Sequence, residues 1–217
     1  IGSALVAGLP GGKGTWIPRT LARGFLRVYL CCSRVIEKSF FGSSEVFSTA
    51  LLGQGRSHFT ILNSTDVAQV ALATPATTQR TDNVIRIGFV ARLVYRKGGD
   101  LLLKALALVL KKSPNVRLSI VGEGWAKDDL ISLTTELGMG PHVEWLGTLT
   151  REELFEFYPQ MDMLVVPSRS EGIPLTALEA SAFGVPVIAA RSDGLVEAIE
   201  HGVTGFLVDV EDVQGLA

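Results

Sequence analysis

Two carboxylates and two cations stand at spacings that suit one anionic ligand. Glu171 and Glu179 lie eight positions apart in the run Pro167-Ser168-Arg169-Ser170-Glu171-Gly172-Ile173-Pro174-Leu175-Thr176-Ala177-Leu178-Glu179-Ala180. Pro174 suits the first turn of a helix, where a missing N–H costs nothing, and Gly184 suits its end. Leu175, Leu178 and Ala182 then share one face, with Glu179 inside the helix and Glu171 in the loop ahead of it. Helical side chains lean toward the amino end, which turns Glu179 to the mouth that Glu171 borders. Free N–H groups at Leu175 and Thr176, aided by the helix dipole, favour a phosphate there. Arg92 and Lys97, in the earlier run Gly88-Phe89-Val90-Ala91-Arg92-Leu93-Val94-Tyr95-Arg96-Lys97-Gly98, close a strand-like segment and precede a helix-like one. Two cations at such a junction can stabilise accumulating negative charge. Taken singly, each glutamate reads as an ordinary helix or helix-start charge. Their conjunction with Gly172, Pro174 and Gly184-Val185-Pro186 argues for a ligand site.

The elements that must position these groups follow from periodicity. Strand-like apolar runs at 84–91, 117–121, 143–146, 163–166, 185–189 and 205–208 alternate with helix-like segments at 99–112, 126–137, 151–158, 174–183 and 194–201. Strict alternation with short joints predicts an α/β fold, a Rossmann-like doubly wound parallel sheet with helices on both faces. Ligands in such a sheet bind outside the carboxyl ends of the strands, so the loops that follow the strands should carry the chemistry. Residues 1–62 are more weakly patterned, with a helix expected over 18–30 and a strand that includes 60–62. The polar, proline-bearing stretch 73–83 reads as a linker. Three parts result: 1–72, the linker 73–83 and the main domain 84–217.

With these motifs in place, the chain resembles the retaining GT-B-fold glycosyltransferases often called family 4, over about residues 60–217. The pattern Glu171-Gly172-x-Pro174 followed by Glu179-Ala180 and Gly184-x-Pro186-Val187-Ile188 carries the resemblance, supported by Gly88 through Gly98. The resemblance implies transfer of a sugar from a nucleoside-diphosphate sugar to a glycan, lipid or small-molecule acceptor. It implies no metal and no cofactor beyond the donor substrate, and no Asp-x-Asp follows a strand here. It assigns Glu171 to the side of the transferred sugar, Glu179 to the ribose hydroxyls, and Arg92 and Lys97 to the diphosphate. Leu149 marks the loop near the base, and Leu175 and Thr176 mark the helix amino end. On that assignment, removal of Glu179 weakens nucleoside diphosphate binding, whereas removal of Glu171 leaves it nearly unchanged. Residues 1–72 become the end of an acceptor-side domain with its interdomain segment. Two departures touch the fine assignment of the sugar: Ser192-Asp193-Gly194-Leu195-Val196-Glu197 stands where the family often has Gly-Gly-x-x-Glu, and Asn63-Ser64-Thr65-Asp66 stands for Asn-Gly-Val-Asp.

Composition bounds the remaining classes. The chain has 217 residues and a formal net charge of −2, which argues against a nucleic-acid partner. Its 47% hydrophobic content includes no run as long as the roughly 18 residues of a membrane span. Cys31 and Cys32 are adjacent, a poor framework for a disulfide, and the expected compartment is the reducing cytoplasm. The start at Ile1 reads as a truncation. Residues 1–40 hold Lys13, Arg19, Arg23, Arg27, Arg34 and Lys38 against Glu37 alone. Arg19, Arg23 and Arg27 recur every fourth residue, as on a basic amphipathic helix that lies on an anionic membrane. Gly8-Leu9-Pro10-Gly11-Gly12-Lys13 approaches a kinase phosphate loop but is one residue short between its first Gly and the Gly-Lys pair. A kinase using Lys13, and a nucleotide-binding module without transfer, are the alternative functions. His58, His142 and His201 are isolated and read as structural.

Overall fold

The computed structural model describes residues 82–217 throughout and, before them, two short strands and the single positions 34, 35, 38, 46 and 65. Strand β1 (Tyr29–Cys31) pairs in parallel with β2 (His58–Thr60). At the end of the helix expected over 18–30, Tyr29 and Leu30 are extended instead, as suits an aromatic and aliphatic run, and the rest of that span lies outside the described residues. Of the strand expected to include 60–62, Thr60 belongs to β2, and 61 and 62 lie outside the described residues. Lys13, Arg19, Arg23 and Arg27, and most of the 73–83 stretch, fall outside the described residues.

The main unit is one six-stranded, all-parallel sheet built from β3 (Ile85–Val90), β4 (Val116–Val121), β5 (Val143–Gly147), β6 (Met163–Val166), β7 (Val187–Ala190) and β8 (Gly205–Val208). Between them run α1 (Gly99–Leu110), α2 (Lys127–Glu136), α3 (Arg151–Phe157), α4 (Leu175–Ala182) and α5 (Leu195–Ala198), and α6 (Val213–Leu216) follows β8. The spatial order is β5-β4-β3-β6-β7-β8. The order reverses between β3 and β6, and a doubly wound sheet opens its ligand crevice at such a reversal.

Strands β6 and β7 are apolar on both faces because helices cover both, whereas β4 and β5 carry Arg117 and Glu144 on an exposed side. Phe89, Leu118, Ile120 and Val165 pack on one side with Leu103 and Leu106 of α1 and Leu130 of α2. Leu164, Val166, Val187 and Ala189 pack on the other with Phe155 and Phe157 of α3, Tyr158, and Ala177 and Ala180 of α4. Within β6 the alternation of Leu164, Val165 and Val166 between the two clusters is the period of two that a strand dictates.

Local chemistry sets the helix ends. Thr150 caps α3 in a reciprocal capping box with Glu153, its hydroxyl accepting from the Glu153 N–H while the Glu153 carboxylate accepts from the Thr150 N–H. The helix expected over 194–201 ends at Ala198 instead. Ile199 is extended there and buried against the sheet, and His201 bridges in parallel to Gly205. Burial of Ile199 outweighs the helical pattern of its neighbours.

Candidate functional site

The reversal brings two loops together: residues 91–98, after β3, and residues 167–174, after β6. The first ends in a 3-10 turn, Tyr95–Lys97, closed by Gly98 at φ 72. A Cβ on Gly98 would sit 2.1 Å from the Pro167 carbonyl oxygen, so glycine is required both by the left-handed backbone and by the close approach of the β6 loop. The loops are then riveted to each other. The Arg169 N–H donates to the Arg96 carbonyl at 2.9 Å, and the Arg96 guanidinium donates to the Ser170 carbonyl at 2.7 Å.

At this seam Lys97 and Glu171 form a direct ion pair, and the Ser168 hydroxyl donates to the same carboxylate oxygen, Oε1, at 3.0 Å. Arg96 stands 3.8 Å from Oε2. Glu171 is nearly buried, with 7% of its surface exposed. A buried carboxylate needs such partners, because desolvating a charge without compensation is costly. The sequence reading takes Arg92 and Lys97 for the site, yet it is Arg96 and Lys97 that meet Glu171. Arg92 is exposed on the rim and makes no ion pair among the described residues. It is the cation left open to an incoming anion.

The loop after β7 completes the floor. The Ser192 hydroxyl donates to the Ser168 carbonyl at 2.9 Å, and the Gly194 N–H donates to the Glu171 carbonyl at 3.1 Å. Asp193, at φ 34, accepts from the Ser170 hydroxyl at 2.6 Å and from the Glu171 N–H at 3.1 Å. Asp193 escaped the sequence reading except as a departure from the family pattern.

Helix α4 rises from this floor. Pro174 is its cap rather than its first residue, and the first closing bond runs from Ala177 N–H to the Pro174 carbonyl. The N–H groups of Leu175 and Thr176 therefore precede the hydrogen-bonded ladder. One turn on, Glu179 is buried, and its Oε2 accepts from the Tyr158 hydroxyl at 2.9 Å. Burial, reinforced by the adjacent carboxylate, pushes the Tyr158 hydroxyl far above its ordinary range, so it stays a donor. Glu179 Oε1 makes no hydrogen bond among the described residues. One carboxylate oxygen is thus fixed by Tyr158 and the other is unengaged among the described residues.

Around this centre, Arg169 braces the cation loop. Its guanidinium donates two bonds of 2.8 Å to Asp100, one of 2.8 Å to Glu211 and one of 2.7 Å to the Tyr95 carbonyl, and it lies 3.8 Å from the centre of the Tyr95 ring. Burial alone would raise the Asp100 carboxyl, but the Arg169 hydrogen bonds hold it below the ordinary range. Arg169 is held well above its own range, first by the bond to Asp100.

Leu149 is half-buried, apart from this seam. It packs beside the α3 core and borders a groove of about 590 Å³ whose lining comes mainly from the amino ends of β3, β4 and β5 and from α3. Among the described residues no cluster of His, Cys, Asp and Glu could hold a metal ion, and no helix is long and apolar enough to cross a membrane. Arg34 reaches the domain from the other part of the chain: its N–H and guanidinium, with the Val35 N–H, donate to the Glu197 carboxylate at 3.0–3.3 Å.

A doubly wound parallel sheet whose switch point carries cations, a paired carboxylate and a helix amino end is the architecture of the donor-side domain of a GT-B protein. Comparison with known proteins agrees. The chain belongs to the glycosyl transferases group 1 family, whose model matches residues 74–217. It is 40% identical over 155 residues to a D-inositol 3-phosphate glycosyltransferase of Mycolicibacterium smegmatis, covering 69% of this chain and 33% of the relative. It is 38% identical over 133 residues to a GDP-mannose-dependent alpha-(1-6)-phosphatidylinositol monomannoside mannosyltransferase of the same organism, covering 58% of this chain and 35% of the relative. Among solved structures, Anabaena Alr3699/HepE in complex with UDP and glucose is similar with a TM-score of 0.72 and 25% identity, covering 91% of this chain and 53% of that one. The chain spans about a third of the length of the curated relatives it matches.

Proposed function

We propose that residues 84–217 bind the nucleoside-diphosphate sugar of a retaining glycosyltransferase and that transfer takes place in a cleft shared with an acceptor-side domain, of which residues 1–72 are a part. The observation that carries this reading is the placement of Lys97, Arg92, Glu171 and the α4 amino end at the switch point of the sheet. Arg92 and Lys97, with the N–H groups of Leu175 and Thr176, hold the diphosphate and take up the negative charge that grows on it as the bond to the sugar breaks. Glu171 lies on the sugar side and orients it. The free oxygen of Glu179 accepts from the ribose hydroxyls, and the main chain of the loop after β5, ahead of Leu149, lies along the base. No step requires a metal, because the cations and the helix dipole supply the positive charge.

Calorimetric titration with UDP, GDP and ADP tests the reading. We expect these 217 residues to bind a nucleoside diphosphate with affinity unchanged by EDTA, and to transfer no sugar to an added acceptor by themselves. Dependence on Mg²⁺ and on Lys13 would favour phosphoryl transfer and overturn the reading. The spacing of Arg19, Arg23 and Arg27 leads us to propose in addition that the cytoplasmic protein sits on an anionic membrane face. Sedimentation of the intact protein with phosphatidylserine vesicles should then fall as salt rises, and no salt-sensitive binding would remove the proposal.

A further inference from the structure

Asp193, in the turn between β7 and α5, is one of two non-glycine residues with positive φ among those described, and it is neither a ligand of a visible cation nor needed to close a helix. A left-handed conformation at a side-chain-bearing residue persists only where its surroundings demand it. Here Oδ2 accepts from the Ser170 hydroxyl and the Glu171 N–H, and so fixes the main chain on which Glu171 stands. The turn cannot back away: a Cβ on Gly194 would lie 2.3 Å from the Gly172 carbonyl oxygen. Asp193 is therefore held one residue from Glu171 on the rim where the sugar must lie.

Anchoring does not explain the charge. Asparagine adopts this backbone region as readily and could accept both bonds through its amide oxygen. Asp193 instead carries a carboxylate that makes no ion pair, and its Oδ1 makes no hydrogen bond, among the described residues. When a diphosphate engages Lys97, Glu171 keeps Arg96 at 3.8 Å as its remaining cation, and Asp193 keeps none. The sugar then meets an acceptor that rewards hydroxyl or ammonium donors and repels a carboxylate. Resting on the donor-site reading above, we propose that Asp193 is a specificity-determining residue that selects neutral or amine-bearing sugars over uronic acids.

The test measures affinities of the full-length protein for UDP-glucose against UDP-glucuronate and for GDP-mannose against GDP-mannuronate, with free UDP and GDP as references. The unaltered protein should favour the neutral sugar by about tenfold or more, the effect of one unfavourable like-charge contact. Asp193→Asn should shrink that preference by a similar factor and shift free diphosphate affinity by much less. Thermal melting of the variant reports whether the turn is kept. Equal affinities for both sugars in the unaltered protein, or equal changes for both in Asp193→Asn, would overturn the role of Asp193 while the donor site stands. Failure of the unaltered protein to bind UDP or GDP would overturn the donor site and this proposal with it.

Discussion

Glu171→Gln offers the sharpest test of the site, because the structure predicts that it strengthens nucleotide binding while it damages transfer. Glutamine keeps an oxygen for the Ser168 hydroxyl, which donates at 3.0 Å, and removes only the charge. Lys97 now pairs with Glu171, and their side chains are 16% and 8% exposed, so this is no solvated surface pair. A diphosphate that engages Lys97 must take it from Glu171. At an effective dielectric of about 20, even the 3.8 Å separation between Arg96 and Glu171 corresponds to about 4 kcal/mol of gross attraction. Desolvation offsets much of this, leaving a charge-assisted bond worth about 1.5–3 kcal/mol. Removal of the competing carboxylate should therefore raise nucleoside diphosphate affinity about tenfold or more, since about 1.4 kcal/mol is a factor of ten. Calorimetry with UDP and GDP measures it, and turnover of the full-length enzyme should fall in the same variant. On the proposed reading Glu179→Gln should move affinity the other way, because a neutral amide oxygen accepts from a ribose hydroxyl more weakly than a carboxylate does. The sequence alone predicts unchanged affinity on loss of Glu171, since it does not show Lys97 and Glu171 in contact. Weaker diphosphate binding by Glu171→Gln would refute the argument and put Glu171 on the nucleotide itself.

Arg169→Met removes the donors that hold Asp100 below its ordinary range. Asp100 stabilises the native state above its unfolded pKa, and that contribution is lost as pH falls through its lower folded value. Without those donors the depression of the folded value shrinks, so the stability that the variant loses relative to the unaltered protein should be largest near neutral pH and diminish as pH falls through the Asp100 range, as denaturant unfolding followed by circular dichroism at several pH values measures. Gly98→Ala combines a positive φ with a Cβ 2.1 Å from the Pro167 carbonyl, so denaturant unfolding should show a loss of more than about 1 kcal/mol. Diphosphate binding should weaken along with it as the cation loop shifts. Thr150→Ala breaks the capping box of α3 and should cost about 0.5–2 kcal/mol in the same assay without altering the diphosphate site.

What was legible in the sequence is what local chemistry determines. Strands such as 163–166, apolar on both faces and bounded by polar turns, announce a sheet covered on both sides, and the alternation with helices makes it parallel. Glu171 and Glu179 were visible because a loop, a proline and a helix fix their spacing within one short segment. Arg96 was not, because its value depends on a backbone turn that brings it to a carbonyl and a carboxylate 74 and 75 positions away. Tyr158 was read only as the end of a helix, yet its hydroxyl decides which oxygen of Glu179 remains free. Asp193 was visible merely as a mismatch, and its contacts reach back 22 and 23 positions across a strand and a helix.

Arg96 and Asp193 share a cause, each acting through the seam between loops that the strand order, and not the sequence order, brings together, whereas Tyr158 reaches Glu179 from the end of α3. The cations arrive on the β3 loop, their counter-charge on the β6 loop, and the anchor of that counter-charge on the β7 loop. A site assembled this way couples its parts: on the proposed reading Glu171 competes with the diphosphate for Lys97, and Asp193 holds the main chain from which Glu171 reaches Lys97. Substitution of Asp193 should therefore combine non-additively with Glu171→Gln, whereas Thr150→Ala, on a separate helix, should add simply to either.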